Sequence, residues 1–165
     1  MSTPQKVKLH VAAYSTLKRE SSLDFEVFIA RTDEEINSCF PAFKELRPEL
    51  ELESFLPQVR RQESQSYKIL ALRQSGQVKS VAGFRICEFL AWGKILYIDD
   101  LSTLPIARGN GFAGELLKRL IENAKMSGCK AVHLDSGYAR HNAHRLYLQK
   151  GFQLNCHHFA LEIEN

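Results

Sequence analysis

The spacing of apolar residues changes period along the chain, and each change marks the boundary of a predicted secondary-structure element. The first residues of the segment 23–30 alternate between apolar and polar side chains, which indicates a strand. Thr32 and the three acidic residues after it form a helix start, and apolar residues then recur at intervals of three and four. A second helix is predicted over 51–62, beyond Pro48. The first part of the chain is therefore predicted as a strand followed by two helices.

The middle of the chain has the pattern of three consecutive strands. Residues 67–73 and 78–89 are joined by a short polar segment that contains Gly76, as in a β-hairpin. Residues 94–103 follow a turn at Trp92-Gly93 and form the third strand. Consecutive strands joined by short turns predict an antiparallel arrangement for this part of the sheet.

Beyond these strands the pattern changes, and helices alternate with strands. Apolar residues recur at helical intervals from Leu116 to Ala124, and Gly128 marks the end of this helix. The remaining elements are predicted as a short strand over 131–134, a helix over 142–150 and a final strand region over 152–163.

Together the elements predict an α/β (α+β mixed) fold with a mixed central β-sheet and helices on both faces. Residues 1–22 are polar and show no period, so they are predicted as an N-terminal tail or irregular segment. A single domain is then expected to occupy residues 23–165. The length of 165 residues suits one domain with one core.

Composition and charge restrict the class of protein. Apolar residues make up 44% of the chain and charged residues 25%, as in ordinary globular proteins. The net charge is only +3 and the basic residues are scattered, so neither a nucleic-acid partner nor a membrane surface is expected. No apolar run approaches the ~20 residues that cross a bilayer, and the N-terminus lacks the apolar core of a signal peptide. These features favour a cytoplasmic protein.

The cysteines and histidines do not have the spacing of a metal site. The four cysteines lie far apart and are expected to be reduced thiols. His141 and His144 are three residues apart, whereas the zinc-protease pattern requires four and a glutamate beside the first histidine. No metal is therefore expected.

The most informative segment is Arg108-Gly-Asn-Gly-Phe-Ala-Gly114, which lies after a strand and opens an amphipathic helix. Its glycines allow the backbone to come close to a ligand. The unbonded N–H groups at the start of a helix attract phosphate oxygens. A ligand that carries a pyrophosphate is predicted here.

The same segment also fits a second interpretation. Gly109, Gly111 and Gly114 have the spacing of the dinucleotide-binding fingerprint, and Asp135 ends the next strand, where a ribose-binding acid belongs. Against it, Pro105 prevents a strand from running directly into the glycines, and few residues follow Asp135. A dinucleotide-binding domain is the less favoured alternative.

Two blocks of the sequence resemble the GCN5-related N-acetyltransferases, the GNAT superfamily. Arg108, Gly111 and Ala113 match that family's Arg/Gln-x-x-Gly-x-Gly/Ala pattern, and the segment 101–105 matches the strand end before it, with Thr103 in place of Val. The segment 141–152 resembles a second block that ends in Tyr-x-x-x-Gly-Phe, with a shortened Asn-to-Tyr interval. Both blocks occur in the family's order and at its separation.

The resemblance implies a fold in which strands 4 and 5 splay apart and acetyl-coenzyme A enters the gap. By this likeness Arg108 is expected to add charge near the phosphates, and Asn142 is expected to hold the pantetheine or the chain near it. Backbone groups of six residues are expected to bind the pyrophosphate: Gly109, Asn110, Gly111, Phe112, Ala113 and Gly114. The edge formed by Leu101, Ser102 and Thr103 is expected to pair with the pantetheine amides.

The resemblance also implies a reaction, acetyl transfer to a primary amine by direct attack. An alkyl amine has a pKa near ~10.4 and is mostly protonated at neutral pH, so a base is useful. Asp99 and Asp100 are the candidates, alone or through a water. Asp99 is favoured, because it corresponds to a glutamate in the similar spermidine/spermine acetyltransferases. Consecutive strand residues point to opposite faces, so only one of the two is expected to face the substrate.

Two further groups complete the expected site. Tyr147 corresponds to the family's tyrosine beside the coenzyme A sulfur, and it is expected to protonate the leaving thiolate. The oxyanion donor is expected to be a backbone N–H near Leu101 or Ser102.

The acceptor is not identified by the sequence. Its pocket is expected to be lined by the first two helices and the hairpin, where Arg47 and Arg85 are available. These arginines bind an acceptor carboxylate, or they form structural pairs with glutamates of the same region, Glu45, Glu49 or Glu88. A small metabolite, an antibiotic and a protein amino group all remain open as acceptors. A coenzyme A sensor without transferase activity is a second hypothesis, and a homodimer paired through the last strands is also possible.

Overall fold

The computed structural model describes residues 24–163, so the tail predicted over 1–22 lies outside the described residues. The strands are β1 Phe25–Ala30, β2 Lys68–Gln74, β3 Gln77–Phe89, β4 Gly93–Thr103 and β5 Ala131–Leu134. The helices are α1 Asp33–Leu46, α2 Leu52–Glu63, α3 Phe112–Met126 and α4 His141–Gln149, and a 3₁₀ turn covers Pro105–Ala107.

Local sequence signals explain where the first elements begin and end. Thr32 caps α1: its hydroxyl accepts a hydrogen bond from the Glu35 amide at 3.2 Å, and the Glu35 carboxylate accepts from the Thr32 amide at 3.2 Å. The β2–β3 hairpin turns at Ser75 and Gly76, whose φ angles are +50° and +76°. Two positive φ angles match the right-handed twist of the flanking strands, which fixes the hairpin. Both predictions are confirmed.

The five strands form one sheet in the order β1-β2-β3-β4-β5. Neighbours are antiparallel from β1 to β4, whereas β4 and β5 are parallel. The β4–β5 pairing runs from Ile95 opposite Ala131 to Ile98 opposite Leu134 and stops there. Because β4 continues to Thr103, its last five residues have no strand partner on the β5 side. The predicted mixed sheet, with strands 4 and 5 apart at one end, is confirmed.

Helices cover both faces of the sheet. One face packs against α1 and α2 through a buried cluster that includes Ile36, Phe43 and Phe55. The other face packs against α3 through Leu116 and Leu120. A doubly wound dinucleotide-binding sheet is parallel, and here the strand before the glycine segment is antiparallel to β3. The dinucleotide-binding alternative is therefore wrong.

The predicted final strand over 152–163 is not formed. Phe152 donates its amide to the Tyr147 carbonyl at 3.0 Å, and the segment beyond it has no strand pairing. Leu154 and Phe159 are 86% and 90% exposed. A strand is stabilised by a hydrogen-bonded neighbour and a buried face, and this segment has neither within the described residues. Among residues 24–163 there is also no helix with the length and apolar character needed to span a membrane.

Candidate functional site

A β-bulge in β4 shapes the centre of the site. Asp100 pairs with Gly83 and Ile98 pairs with Phe84, so Asp99 is an extra residue between them. A bulge interrupts the alternation of side chains along a strand. Asp99 and Asp100 consequently line the same cavity. The expectation that these two side chains point to opposite faces of the sheet is therefore wrong.

Asp99 is fully engaged by an arginine on the neighbouring strand. Arg85 Nε donates to both carboxylate oxygens of Asp99, at 3.2 and 3.0 Å, and Arg85 Nη2 lies 2.5 Å from Oδ2. Both side chains are about four-fifths buried, with 22% and 18% of their surfaces exposed. A bidentate pair of this kind fixes the position and orientation of both groups.

Asp100 is held differently, by a single oxygen. Arg47 approaches Oδ1 of Asp100 through Nε and Nη2, each at 2.9 Å. Within residues 24–163, Oδ2 of Asp100 has no hydrogen-bond partner. Burial raises the pKa of Asp100, and the nearby Arg47 cation opposes this effect. The glutamate partners considered for Arg47 and Arg85 are wrong, because both arginines bind the aspartates.

The two aspartates border a cavity of about 340 Å³ between α1, α2 and β4. Polar side chains make up much of its lining, which also includes the buried aromatic residues Phe43, Phe55 and Tyr67. Burial raises the pKa of Tyr67 well above its usual value, so this phenol stays protonated. A Cβ on Gly83 would overlap the Tyr67 hydroxyl, so Gly83 makes room for it. Sequence reasoning missed Tyr67, whose position depends on Gly83 across the β2–β3 pair.

The predicted phosphate segment has the geometry of an anion cradle. Gly109 and Gly111 have φ angles of +81° and +79°, and a Cβ at either position would meet open space. The amide N–H groups of residues 109–114 donate to no other group in the described chain. Gly111 is the N-cap residue of α3, so the last three of these amides lie in the first helical turn.

The side chains of this segment have structural contacts of their own. Phe112 is 2% exposed and packs edge-to-face on Phe25, so only its backbone is available to a ligand. Asn110 Nδ2 donates to the Ala107 carbonyl at 3.0 Å. Arg108 Nη2 lies 2.6 Å from Glu45 Oε1, so its charge is already paired with α1. The backbone, more than these side chains, is open to a phosphate.

One cation near the cradle was missed by sequence reasoning. A Cβ placed on Gly114 would lie 3.8 Å from Lys150 Nζ, so this ammonium lies beside the first turn of α3. Lys150 follows α4, and only the packing of α4 against α3 brings the two positions together. A lysine that precedes a glycine gives no sequence signal that its ammonium lies beside the first turn of another helix.

The free edge of β4 lies between the cradle and the aspartates. The Ser102 carbonyl accepts a hydrogen bond from Ser80 Oγ at 2.9 Å, so it faces β3. Successive residues of a strand turn their peptide groups to opposite sides, so those of Leu101 face the gap. The Thr103 carbonyl accepts from Arg108 Nε at 3.3 Å. Of the two predicted oxyanion positions, Leu101 has the orientation required.

Tyr147 and Asn142 both lie on α4. Tyr147 is partly buried, with its ring centroid 5.8 Å from that of Phe152. Burial raises the pKa of Tyr147 above its usual value, and Arg140 has the opposite, smaller effect. Its hydroxyl therefore stays protonated at neutral pH. Asn142 is exposed in the first turn of α4, and its side chain makes no hydrogen bond within the described chain.

A larger cavity, of about 620 Å³, follows the outer side of β5 and includes Tyr147. Asp135 there accepts a hydrogen bond from the Tyr97 hydroxyl at 2.5 Å and lies 3.1 Å from His158 Nδ1. In the described part of the chain, no three His, Cys, Asp or Glu side chains are grouped so as to hold a metal ion.

The chain is similar in sequence to known acetyltransferases. The sequence model of the Acetyltransferase (GNAT) family matches residues 29–152. An uncharacterized N-acetyltransferase, YhdJ, of Bacillus subtilis is 31% identical over 128 residues, which cover 76% of this chain and 90% of that protein. An aminoalkylphosphonate N-acetyltransferase of Salmonella typhimurium is 32% identical over 63 residues, 38% of this chain and 41% of that protein.

Solved structures share the fold at low sequence identity. A transcriptional regulator from Bacillus halodurans superposes with a TM-score of 0.74 at 19% identity, over 84% of this chain and all of that one. A Trypanosoma brucei acetyltransferase gives a TM-score of 0.72 at 20% identity, over 85% and 100%. An aminoglycoside N-acetyltransferase solved in complex with CoA gives 0.73 at 13% identity, over 86% and 95%.

Proposed function

The chain belongs to the GNAT family of acetyltransferases, and on this premise we propose that it transfers the acetyl group of acetyl-coenzyme A to a primary amine by direct attack. The observation that carries the proposal is the run of unpartnered amides at residues 109–114, next to a β4 edge that β5 leaves free. Family members are enzymes that use acetyl-coenzyme A and act on an acceptor substrate.

The residues present fit this donor. The open amides of 109–114 and the Lys150 ammonium suit a pyrophosphate, which needs N–H donors and positive charge. The outward carbonyl of Leu101, and the peptide groups of Thr103 once Arg108 releases the Thr103 carbonyl, suit the pantetheine amides. When bound, the donor supplies a thioester whose carbonyl carbon is open to attack by an amine. The Leu101 N–H is placed to stabilise the negative charge that develops on the carbonyl oxygen.

Asp100 is the proposed base. It accepts a proton from the acceptor's ammonium, directly or through a water, so that the nitrogen lone pair is free to attack. The free Oδ2 and the raised pKa of Asp100 support this role. Asp99 has both oxygens bound to Arg85, which supports a role in fixing that arginine and the bulge.

Tyr147 is the proposed acid. As the new N–C bond forms and the C–S bond breaks, its hydroxyl gives a proton to the leaving thiolate and recovers one from solvent. The ammonium nitrogen gives up two protons, one to Asp100 before the attack and one as the amide forms. The thiolate gains one proton, so each turnover releases one proton to solvent. The raised pKa of Tyr147, caused by burial, keeps the proton available at neutral pH.

The Tyr147→Phe variant tests the acid. We expect kcat to fall at least about tenfold, because general acid catalysis contributes roughly 10²–10⁴-fold and a thiolate is a good leaving group that needs less help. Phenylalanine keeps the ring packing on Phe152, so the free energy of unfolding should change little. Tyr138→Phe, at an exposed tyrosine, is the matched control. Undiminished kcat across the pH range would remove Tyr147 from the mechanism.

Binding of the donor is tested by thermal unfolding. At 100 times its dissociation constant, acetyl-coenzyme A should stabilise the protein by roughly 2.7 kcal/mol. NADH at the same concentration should have no such effect, since the sheet is not of the dinucleotide-binding type. Stabilisation by neither compound, together with no release of coenzyme A from an amine panel, would contradict the proposed function. Stabilisation without any transfer would instead favour a coenzyme A sensor.

A further inference from the structure

We propose that the acceptor is a small zwitterionic amine, with an acidic group a few bonds from the amino group, and that Arg47 binds the acid. This inference rests on the proposed function and names the substrate class of the same site. It depends on the difference between the two ion pairs beside the cavity, Arg85–Asp99 and Arg47–Asp100.

The Arg85–Asp99 pair has little capacity for a ligand. Both carboxylate oxygens of Asp99 accept hydrogen bonds from Arg85, and Arg85 Nη1 lies 3.3 Å from Gln65 Oε1. Both members of the pair are largely buried. Their charges cancel and their hydrogen-bonding groups are occupied, so this pair shapes the cavity wall.

The Arg47–Asp100 pair is open. Arg47 uses Nε and Nη2 on one oxygen of Asp100, which leaves Nη1 of Arg47 and Oδ2 of Asp100 without a partner among residues 24–163. The Arg47 side chain is 47% exposed and lines the cavity. A cation and an anion thus stand side by side, each with a free hydrogen-bonding group.

An acceptor that complements this pair carries both charges. Asp100 Oδ2 takes the ammonium, and the free guanidinium N–H groups take a carboxylate or phosphate, for which the planar fork of arginine is well suited. An amine with a second cation would bring that cation against Arg47. The exposed Glu49 at the rim attracts cations too, but an exposed charge is screened by solvent.

The size and lining of the cavity agree with a small acceptor. The volume of about 340 Å³ is at the lower end of the range for ligand pockets. Its lining is largely polar, and Phe43, Phe55 and Val59 are its apolar members, each no more than 4% exposed. A polar lining with a small apolar part suits a short acceptor whose two charged groups are separated by few carbon atoms.

Steady-state kinetics with matched amines test the inference. β-Alanine and phosphoethanolamine carry an acid, whereas propylamine and ethylenediamine are amines of similar length without one. We expect kcat/KM for the acidic amines to exceed that for propylamine about tenfold or more, the size expected of a charge-assisted hydrogen bond. Equal or faster transfer to propylamine or ethylenediamine, or no transfer to either acidic amine, would overturn the inference.

The Arg47→Gln variant separates binding of the acid from an effect on the base. Loss of the cation should raise the pKa of Asp100 and shift the acidic limb of the pH profile upwards for every amine. Only the acidic amines should also show a KM increase of about tenfold or more, and Arg47→Lys should restore part of it. Arg60→Gln, at an arginine paired with Asp33 and Glu63 away from the cavity, is the control.

The outcomes distinguish this inference from the proposed function. A KM increase of equal size for propylamine and β-alanine in Arg47→Gln would mean that Arg47 only positions Asp100, and the zwitterion inference would fail while the transferase assignment stands. Absence of transfer to all four amines, together with no thermal stabilisation by acetyl-coenzyme A, would overturn the proposed function itself.

Discussion

Replacing Asp100 with asparagine is expected to lower kcat/KM by about 10²–10⁴-fold, the usual contribution of a general base. Asparagine keeps an oxygen that accepts the hydrogen bonds of Arg47, so the pair geometry survives while the proton acceptor is lost. The wild-type rate should rise with pH through the pKa of Asp100, because only the ionised carboxylate acts as a base. Burial raises that pKa, so this limb should lie above the usual range of an aspartate. In Asp100→Asn the limb should disappear.

Two matched variants decide how this result is interpreted. Asp33→Asn removes an exposed carboxylate in the first turn of α1, remote from the cavity, and should leave kcat/KM unchanged. Asp99→Asn weakens the bidentate pair with Arg85. Its main effect should be a lower free energy of unfolding, with only a small decrease of kcat at the pH optimum. If Asp99→Asn abolishes the pH limb and Asp100→Asn retains it, Asp99 is the base and the assignment made here is wrong.

Placing a carboxylate at the phosphate cradle, by Gly111→Asp, is expected to weaken acetyl-coenzyme A binding on the order of 100-fold. Two like unit charges 4 Å apart repel each other by about 4 kcal/mol at the dielectric constant typical near a protein surface. The expected hundredfold loss of affinity is smaller than this energy would give, because solvent and salt screen the two charges. Aspartate tolerates the positive φ of this position better than most residues do. The attraction of its charge to the N-terminus of α3 offsets only part of the backbone strain at this position, so the free energy of unfolding should fall by about 1 kcal/mol or less. Isothermal titration and chemical denaturation measure the two effects separately.

The isosteric Gly111→Asn variant isolates the charge. It has the same size and the same tolerance for a left-handed backbone, so it should retain much more of the affinity than Gly111→Asp. The gap between the two variants should shrink as salt is raised, because the repulsion is electrostatic. Equal dissociation constants for the aspartate and asparagine variants would show that the pyrophosphate does not lie at the start of α3.

Local signals were enough to predict most of the fold. Thr32 with Glu35 marks the start of α1, and Gly76 marks the β2–β3 turn, because capping and turn geometry depend on residues a few positions apart. The last strand region was predicted from its apolar residues alone, and it is not formed, since strand formation requires a partner that sequence does not show. The cradle at Gly111 was likewise predicted from local pattern.

The arrangement of the charged groups required the tertiary structure. A bulge is a property of two paired strands, and its position at Asp99 follows from the β3–β4 register. Arg47 and Asp100 are 53 residues apart in sequence, and their pairing depends on how α1 packs over β4. Lys150 reaches the start of α3 only through the packing of α4.

The sequence by itself determined the order and period of nearly all the elements, the glycine segment that opens α3 and the resemblance to the acetyltransferase family. Each of these depends on residues that are close together along the chain. The tertiary structure alone decided that both aspartates line one cavity, that Arg85 binds both oxygens of Asp99 and that Oδ2 of Asp100 has no hydrogen-bond partner among residues 24–163. These properties depend on strand register and helix packing, which bring distant residues together.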